Sequence, residues 1–207
     1  MKIKLIIITL LLSFCSGLSA QSLSTEQAFQ TELRKRNEQV TSIKCKFIQT
    51  REVSMLAKPV SKEGEFYFLK PNNMLLSFND GDYIKMTSEW FEMKTAGSVT
   101  ATKVASNPML KNLSSILSAC VVGDFDKMRS GFMVSYEQST SEWTLKLTPQ
   151  RGKAASSISH IVIVFSKADM SLNLLKMVEK SGDYTAYSFS DKQFSVAVDA
   201  QLFNVVK

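Results

Sequence analysis

The sequence predicts a mainly β chain with helices, folded as an incomplete antiparallel β-barrel closed by a helical lid, and three observations lead there. Short strand-like runs follow one another with hairpin punctuation between them, and a single amphipathic helical stretch interrupts them in mid-chain. The third is the hairpin EGEFYFLKPNNMLLSF, residues 63 to 78, which carries large apolar side chains in both registers. Successive strand side chains point to opposite faces, so a hairpin with one solvated face alternates apolar and polar residues. Here Phe66, Phe68, Met74, Leu76 and Phe78 compete with Tyr67, Leu69 and Leu75. Either both faces are covered or one lines something that is not water.

The chain opens MKIKLIIITLLLSFCSGLSAQ, with Lys2 and Lys4 ahead of an apolar run and small residues up to Ala20. This reads as a secretory signal peptide over residues 1–20, too short to span a bilayer. Phe14 occupies the place where a lipobox needs a small residue, so Cys15 is not expected to be acylated. The mature chain, 21–207, is expected to be a single exported domain, since roughly 187 residues suffice for one substantial core.

Residues 24 to 40 read as a helix: Ser24 with Gln27 makes a capping box, and Phe29, Leu33 and Val40 recur at helical spacing. From Ile43 the pattern becomes SIKCKFIQT, GEFYFLK, MLLSF, DYIKM, WFEMK and SVTATKV, punctuated by Pro71, Asn79-Asp80-Gly81 and Ala96-Gly97. Those are antiparallel hairpins. In NPMLKNLSSILSACVVGDF, Asn107 caps and Pro108 suits the first helical position. Met109, Leu110, Leu113, Ile116, Leu117 and Cys120 then form a stripe that Gly123 closes. Strand signals resume over Phe132–Tyr136, Trp143–Leu147, Ile158–Phe165, Leu174–Lys180 and Tyr184–Phe189, and a last strand is expected over Phe194–Val198. About ten strands seldom stay flat and open, so one strongly curved sheet is the economical arrangement.

Several function classes lack their residues. The net charge of +6 falls to about +4 without Lys2 and Lys4, 25 basic side chains becoming 23 against 19 acidic ones, and no basic stripe for nucleic acid appears. The single histidine, His160 in SISHIVIVF, has no partner motif and reads as a sheet histidine. No CxxC, HExxH or phosphate loop is present, and no metal or cofactor is expected. Asn79-Asp80-Gly81-Asp82 reads as a turn. Paired carboxylates such as Glu63 with Glu65, or Asp124 with Asp126, are the best support for a hydrolase, and nothing singles them out from charged surface. Cys45 and Cys120 leave a bridge and a pair of buried thiols both open. Ten methionines and thirteen phenylalanines suit an adaptable apolar lining on a concave sheet, though a plain core under a helix would use them too.

In their order, these phrases resemble the LolA family of periplasmic outer-membrane lipoprotein carriers over most of the mature chain. The helix leads into Ser42-Ile43 and Cys45-Lys46-Phe47-Ile48-Gln49-Thr50, similar to the family's F-x-Q run. Gly64 to Lys70 followed by Pro71-Asn72 is similar to its G-x-apolar-x-apolar-K/R-P-N hairpin, and Asn79-Asp80-Gly81 before Trp90-Phe91 to its D-G step with a longer spacer. The stretch Asn107–Val121 falls where the family has lid helices, and Leu147-Thr148-Pro149 and Val198-Asp199-Ala200-Gln201-Leu202-Phe203 match late phrases. The resemblance implies a non-enzymatic, monomeric periplasmic carrier that takes lipoproteins from an inner-membrane Lol-type ABC transporter to an outer-membrane, LolB-like acceptor. It implies a lipid cavity lined by Phe47, Phe66, Phe68, Met74, Leu76, Phe78, Phe91 and Met93, and a lid of Met109, Leu110, Leu113, Ile116 and Leu117. Lys70 stands where the family has an arginine that latches the lid through its backbone carbonyls, and Met74 stands where an aromatic is frequent. A carrier or sensor for another lipid remains the alternative within the same fold, and a hydrolase using acidic residues the alternative outside it.

Overall fold

The computed structural model describes residues 24–106, 108–122, 125, 128–129, 131–150 and 157–206. The expected signal peptide, the expected helix caps Asn107 and Gly123, and Asp124 and Asp126 lie outside these residues.

Helix α1 spans Thr25–Glu38 and starts as its sequence requires. Ser24 Oγ accepts from the Gln27 amide at 3.2 Å while the Gln27 side chain accepts from the Ser24 amide at 3.0 Å. Two amides that the helix itself cannot serve are thereby satisfied. Its buried face is Phe29, Leu33 and Asn37.

Strands follow as β1 (Ser42–Glu52), β2 (Val60–Leu69), β3 (Asn73–Phe78), β4 (Tyr83–Met86), β5 (Trp90–Thr95) and β6 (Ser98–Lys103). After α2 (Pro108–Val122) come β7 (Phe132–Gln138), β8 (Glu142–Pro149), β9 (Ile158–Ser166), β10 (Leu172–Glu179) and β11 (Tyr184–Phe194). They form one open antiparallel sheet in the order β6-β5-β4-β3-β2-β1-β11-β10-β9-β8-β7. Two meanders therefore join along β1 and β11, and β6 and β7 are edges. The expected extra strand after Phe194 does not form. Ser195, at φ 54°, turns the chain off the ladder, and Ala200–Phe203 makes a short 3-10 turn whose first amides are capped by Asp199.

That turn lies against β3, with Phe203 buried. It answers half of the hairpin's puzzle: Leu75, in the opposite register from Met74 and Leu76, is buried on the convex side, where the chain's own C-terminal segment covers the sheet. An ion pair is sealed there as well. Lys85 and Glu92 are partners in the β4–β5 register, with Nζ 3.0 Å from Oε1. Lys85 also donates to the Asn204 carbonyl, and Glu92 accepts from the Val206 amide at 2.6 Å and from the Tyr83 hydroxyl at 2.9 Å. Burial pushes the Glu92 carboxyl up, but these hydrogen bonds outweigh it and hold the pKa below the ordinary glutamate value.

The concave side carries two apolar clusters. One gathers α1 with β7 to β10 around Phe29, whose ring sits 5.7 Å from Trp143 and 5.2 Å from Phe165. The other gathers β1 to β4 around Phe47, Phe68, Met74 and Met86. Ile116, Ala119 and Cys120 of α2 belong to the first and Val121 to the second, while Leu117 packs on both. Helix α2 thus bridges the two meanders. Close approach is extreme at Gly64, which pairs with Phe47 and Phe78: a Cβ there would lie 2.1 Å from the Ser77 carbonyl oxygen and 2.9 Å from the Phe47 ring.

Candidate functional site

An apolar cavity of about 100 Å³ lies between α2 and the concave face. Strand alternation supplies one wall, with Ile43 and Cys45 from β1, Phe66 from β2, Met74 and Leu76 from β3, and Ile84 and Met86 from β4. Leu117, Cys120 and Val121 of α2 form the roof. The facing wall is Leu172, Leu175, Tyr187 and Phe189 from β10 and β11.

Three of the residues expected in the cavity, Phe66, Met74 and Leu76, line it. Phe47, Phe68 and Phe78 belong to the cluster behind it, and Phe91 packs on that cluster half-buried. Met93 is displaced. Although alternation puts it on the same face as Phe91, it lies farther along β5, 37% exposed, in an open groove shared with Phe78, Ile84, Met55 and Leu56. Ile84 borders both spaces. The β10–β11 wall was missed because only the pairing of β1 with β11 brings it across. Its sequence signal, apolar residues in both registers of SLNLLKMVEK, equals that of any covered strand.

Of the lid residues, Ile116 is buried in the first cluster and Leu117 roofs the cavity; the side chains of Met109, Leu110 and Leu113 lie outside the described residues. The Lys70 ammonium does not meet α2 among the described residues. It donates at 2.7 Å to the carbonyl of Asn37, in the last turn of α1, while its amide donates to Thr41 at 3.0 Å. The carbonyls of a helix's last turn are unpaired and carry the negative end of its dipole, so a cation is drawn there. The bond from the hairpin turn to α2 is made two residues on, Ser118 Oγ donating to Asn72 Oδ1 at 3.0 Å. One turn therefore holds both helices. Lys70→Leu is expected to loosen the end of α1 and cost about 1.5 to 3 kcal/mol, read as a lower urea midpoint and faster amide exchange at Gln39 and Val40, with α2 exchange unchanged.

At one end the lining turns polar, through Arg36, Asn37, Asp169, Ser171 and Lys192. A bulge puts Lys192 there. The β1–β11 register slips between Lys44 and Lys46, leaving Asp191 and Lys192 opposite Cys45, with Asp191 at φ 51°. The inward phase shifts by one residue: Tyr187 and Phe189 line the cavity before the bulge, Lys192 and Phe194 after it. Lys192 donates to Ser171 Oγ at 2.9 Å and to Asn173 Oδ1, and burial lowers its pKa against the opposing charge of Asp169. The Arg36 guanidinium stacks 4.2 Å over the Phe194 ring and its Nε donates to the Asp169 carbonyl at 3.1 Å. The Asp169 carboxylate accepts from the Ser171 amide at 3.2 Å and hydroxyl at 2.6 Å.

The two thiols that line the cavity are not poised for covalent chemistry. Cys45 and Cys120 are free, and burial pushes the Cys45 thiol to about 12 and Cys120 upward as well, so neither supplies a thiolate at neutral pH. His160 faces Ser159 Oγ at 3.1 Å; burial, then Lys146 and Lys176, lower its pKa. Glu65 is engaged by the Tyr67 hydroxyl and by Lys44 at 3.2 Å, and Glu63 is exposed. Among the described residues no group of three or more His, Cys, Asp or Glu side chains could hold a metal.

The family model of the outer membrane lipoprotein carrier protein LolA matches residues 38–206. No curated protein matches the chain. Among solved structures, a LolA superfamily protein from Nitrosomonas europaea is similar at 9% identity and TM-score 0.46, over 88% of this chain and 99% of that one. A putative outer membrane lipoprotein-sorting protein domain from Vibrio parahaemolyticus is similar at 11% identity and TM-score 0.49, over 87% and 97%. The Mycobacterium tuberculosis lipoprotein LppX is similar at 16% identity and TM-score 0.39, over 83% and 98%.

Proposed function

We propose that this chain, which belongs to the LolA family of outer membrane lipoprotein carrier proteins, carries the acyl chains of lipoproteins between two membranes, with the cavity under α2 as the place where they are held. The observation that carries the reading is the cavity itself, walled by apolar side chains from both meanders and roofed by a helix. Its volume, about 100 Å³, is less than the roughly 150 Å³ of a cavity that takes one benzene. Loading an acyl chain therefore requires α2 to leave. Chain and helix compete for one surface, with Ile116 and Leu117, and Met109, Leu110 and Leu113 on the same stripe, acting as the plug. Transfer of an acyl chain from water gains about 0.8 kcal/mol per methylene, on the order of 10 kcal/mol for a long chain. That gain is ample to displace a helix whose side chains then find lipid or solvent. On this reading the carrier works in the periplasm, in keeping with the signal-like N-terminal sequence, with an inner-membrane Lol-type ABC transporter as donor and a LolB-like outer-membrane protein as acceptor.

Mass spectrometry of material co-purified from the exporting cell tests the reading. Lipoprotein or its acyl chains is the expected cargo; a different lipid would move the chain to another carrier role, and an empty protein that never binds acyl chains would end the proposal. Leu117→Ser tests the plug. Leu117 is half-buried, so removing its apolar contact from the closed form costs about 1.4 kcal/mol, which shifts the closed-to-open balance about tenfold. Binding of the neutral fluorophore N-phenyl-1-naphthylamine should rise severalfold with the circular dichroism of the sheet unchanged. Unaltered binding with α2 intact would show that the helix does not gate the cavity.

A further inference from the structure

The polar end of the cavity is built with more donors than it can use. On α1 the stripe Phe29, Leu33 and Asn37 runs at four-residue spacing, and its third position, where another apolar residue would complete the face, holds a carboxamide. Asn37 is 8% exposed, and its Nδ2 is buried without a hydrogen-bond partner among the described residues. Buried amide donors are nearly always paired, so an orphan one needs a reason. The residue is part of the cavity lining, and its backbone carbonyl is already taken by Lys70 and Val40. Lys192 reaches the same lining through a bulge. Without the extra residue in β11, alternation would carry the lysine to the convex face, where the neighbouring Asp191 pairs with Lys46 at 2.8 Å. Of the three donors of the Lys192 ammonium, two go to Ser171 and Asn173. Arg36, on the same rim, keeps a second cation at the mouth. The one acid there, Asp169, already accepts from Ser171 twice.

We propose that this mouth is a carbonyl-binding subsite: the Asn37 Nδ2 and the Lys192 ammonium receive the carbonyl oxygen at the head end of an acyl chain, while the chain lies in the apolar part between Met74, Leu76 and Leu175. The inference rests on the acyl-carrier reading and goes beyond it by fixing which end of the chain sits where. The head lies at the last turn of α1 and the methyl end points toward Ile84, the residue shared with the open groove. A carboxylate and an ester offer the same oxygen, the first adding charge for Lys192 and Arg36.

The test uses the whole mature protein and three ligands of equal chain length, dodecane, methyl laurate and laurate, each displacing N-phenyl-1-naphthylamine. Wild type should bind the two carbonyl ligands roughly tenfold more tightly than dodecane. Asn37→Leu should erase the preference for methyl laurate and leave dodecane binding equal or tighter. It should also raise the melting temperature of the empty protein, because an orphan donor is replaced by an apolar group. Lys192→Met should weaken laurate more than methyl laurate. A fall in the empty protein's melting temperature on Asn37→Leu, or an equal loss for all three ligands, would overturn the subsite by showing that Asn37 holds structure instead. A preference for laurate alone that survives Asn37→Leu would overturn it too, since Lys192 would then suffice. If wild type binds none of the three, the carrier reading falls and takes this inference with it.

Discussion

Glu92→Ala is expected to be the most damaging single substitution on the convex side, costing about 3 to 5 kcal/mol. Glu92 has no exposed surface, and its removal leaves the Lys85 ammonium buried with only the Asn204 carbonyl, while the Val206 amide loses its acceptor. The loss belongs to the stranded charge rather than to the pair. Replacing both members with apolar residues of similar size, Lys85→Met with Glu92→Leu, should recover most of it. A double-mutant cycle in urea measures the difference; equal instability of the single and double variants would mean that the C-terminal segment, not the charge, sets the cost. The pH dependence has a definite sign. The folded carboxyl titrates below its ordinary value, so its stabilisation is in place at neutral pH and is lost as the pH falls below the ordinary carboxylate range. The gap between wild type and the double variant should therefore narrow in acid.

Gly64→Ala is expected to cost on the order of 3 kcal/mol, at the upper end of overpacking effects. The added methyl would meet the Ser77 carbonyl oxygen at 2.1 Å, and that atom belongs to a β3 backbone fixed by pairing on both sides. The Phe47 ring at 2.9 Å cannot retreat easily either, because Phe78 meets it edge to face with centroids 5.1 Å apart. Phe47→Leu in the same background would give the ring's share of the strain some room and leave the carbonyl's share. A partial rescue is therefore expected, and a full one would assign the clash to the ring alone. Thermal unfolding of Gly64→Ala, Phe47→Leu and the double variant distinguishes the two.

The elements were legible where the cause is local. Ser24 and Gln27 announce α1 because they satisfy amides three residues apart, and the stripe through Ile116 and Leu117 announces α2 because helical spacing does not depend on what it packs against. The greasy hairpin left open whether both faces are covered or one lines a space other than water; Leu75 is covered on one side while Phe66, Met74 and Leu76 line the cavity on the other. It could not name the convex cover, because that cover is Ala200–Phe203, a segment more than a hundred residues later and beyond the strand expected over Phe194–Val198. For Lys70 the resemblance pointed to the lid helix, whereas its ammonium donates to the Asn37 carbonyl of α1. The residue that bonds α2, Asn72, looked like ordinary turn chemistry. Asn37 and Lys192 were silent for the same kind of reason. A polar residue near a helix end and a lysine in FSDKQF both read as solvated, until helical register puts Asn37 on the buried face of α1 and a bulge opposite Cys45 turns Lys192 inward.

The join between the meanders has a consequence for how the molecule comes into being. Each hairpin from β2 to β6 and from β7 to β10 pairs neighbours in sequence and can form locally, but β1 meets β11 through contacts such as Ile43 with Phe194 and Glu52 with Tyr184. Closing so long a loop is entropically expensive and comes late, and contacts at such separation slow folding. The cavity's two walls belong to different halves of that loop, so no binding space exists until the two ends of the chain have met. A chain stopped short of Tyr184 would present bare edges on β1 and β10 at once, each a template for pairing with another copy. Completion of the last strand is thus the step that turns two aggregation-prone ribbons into a vessel.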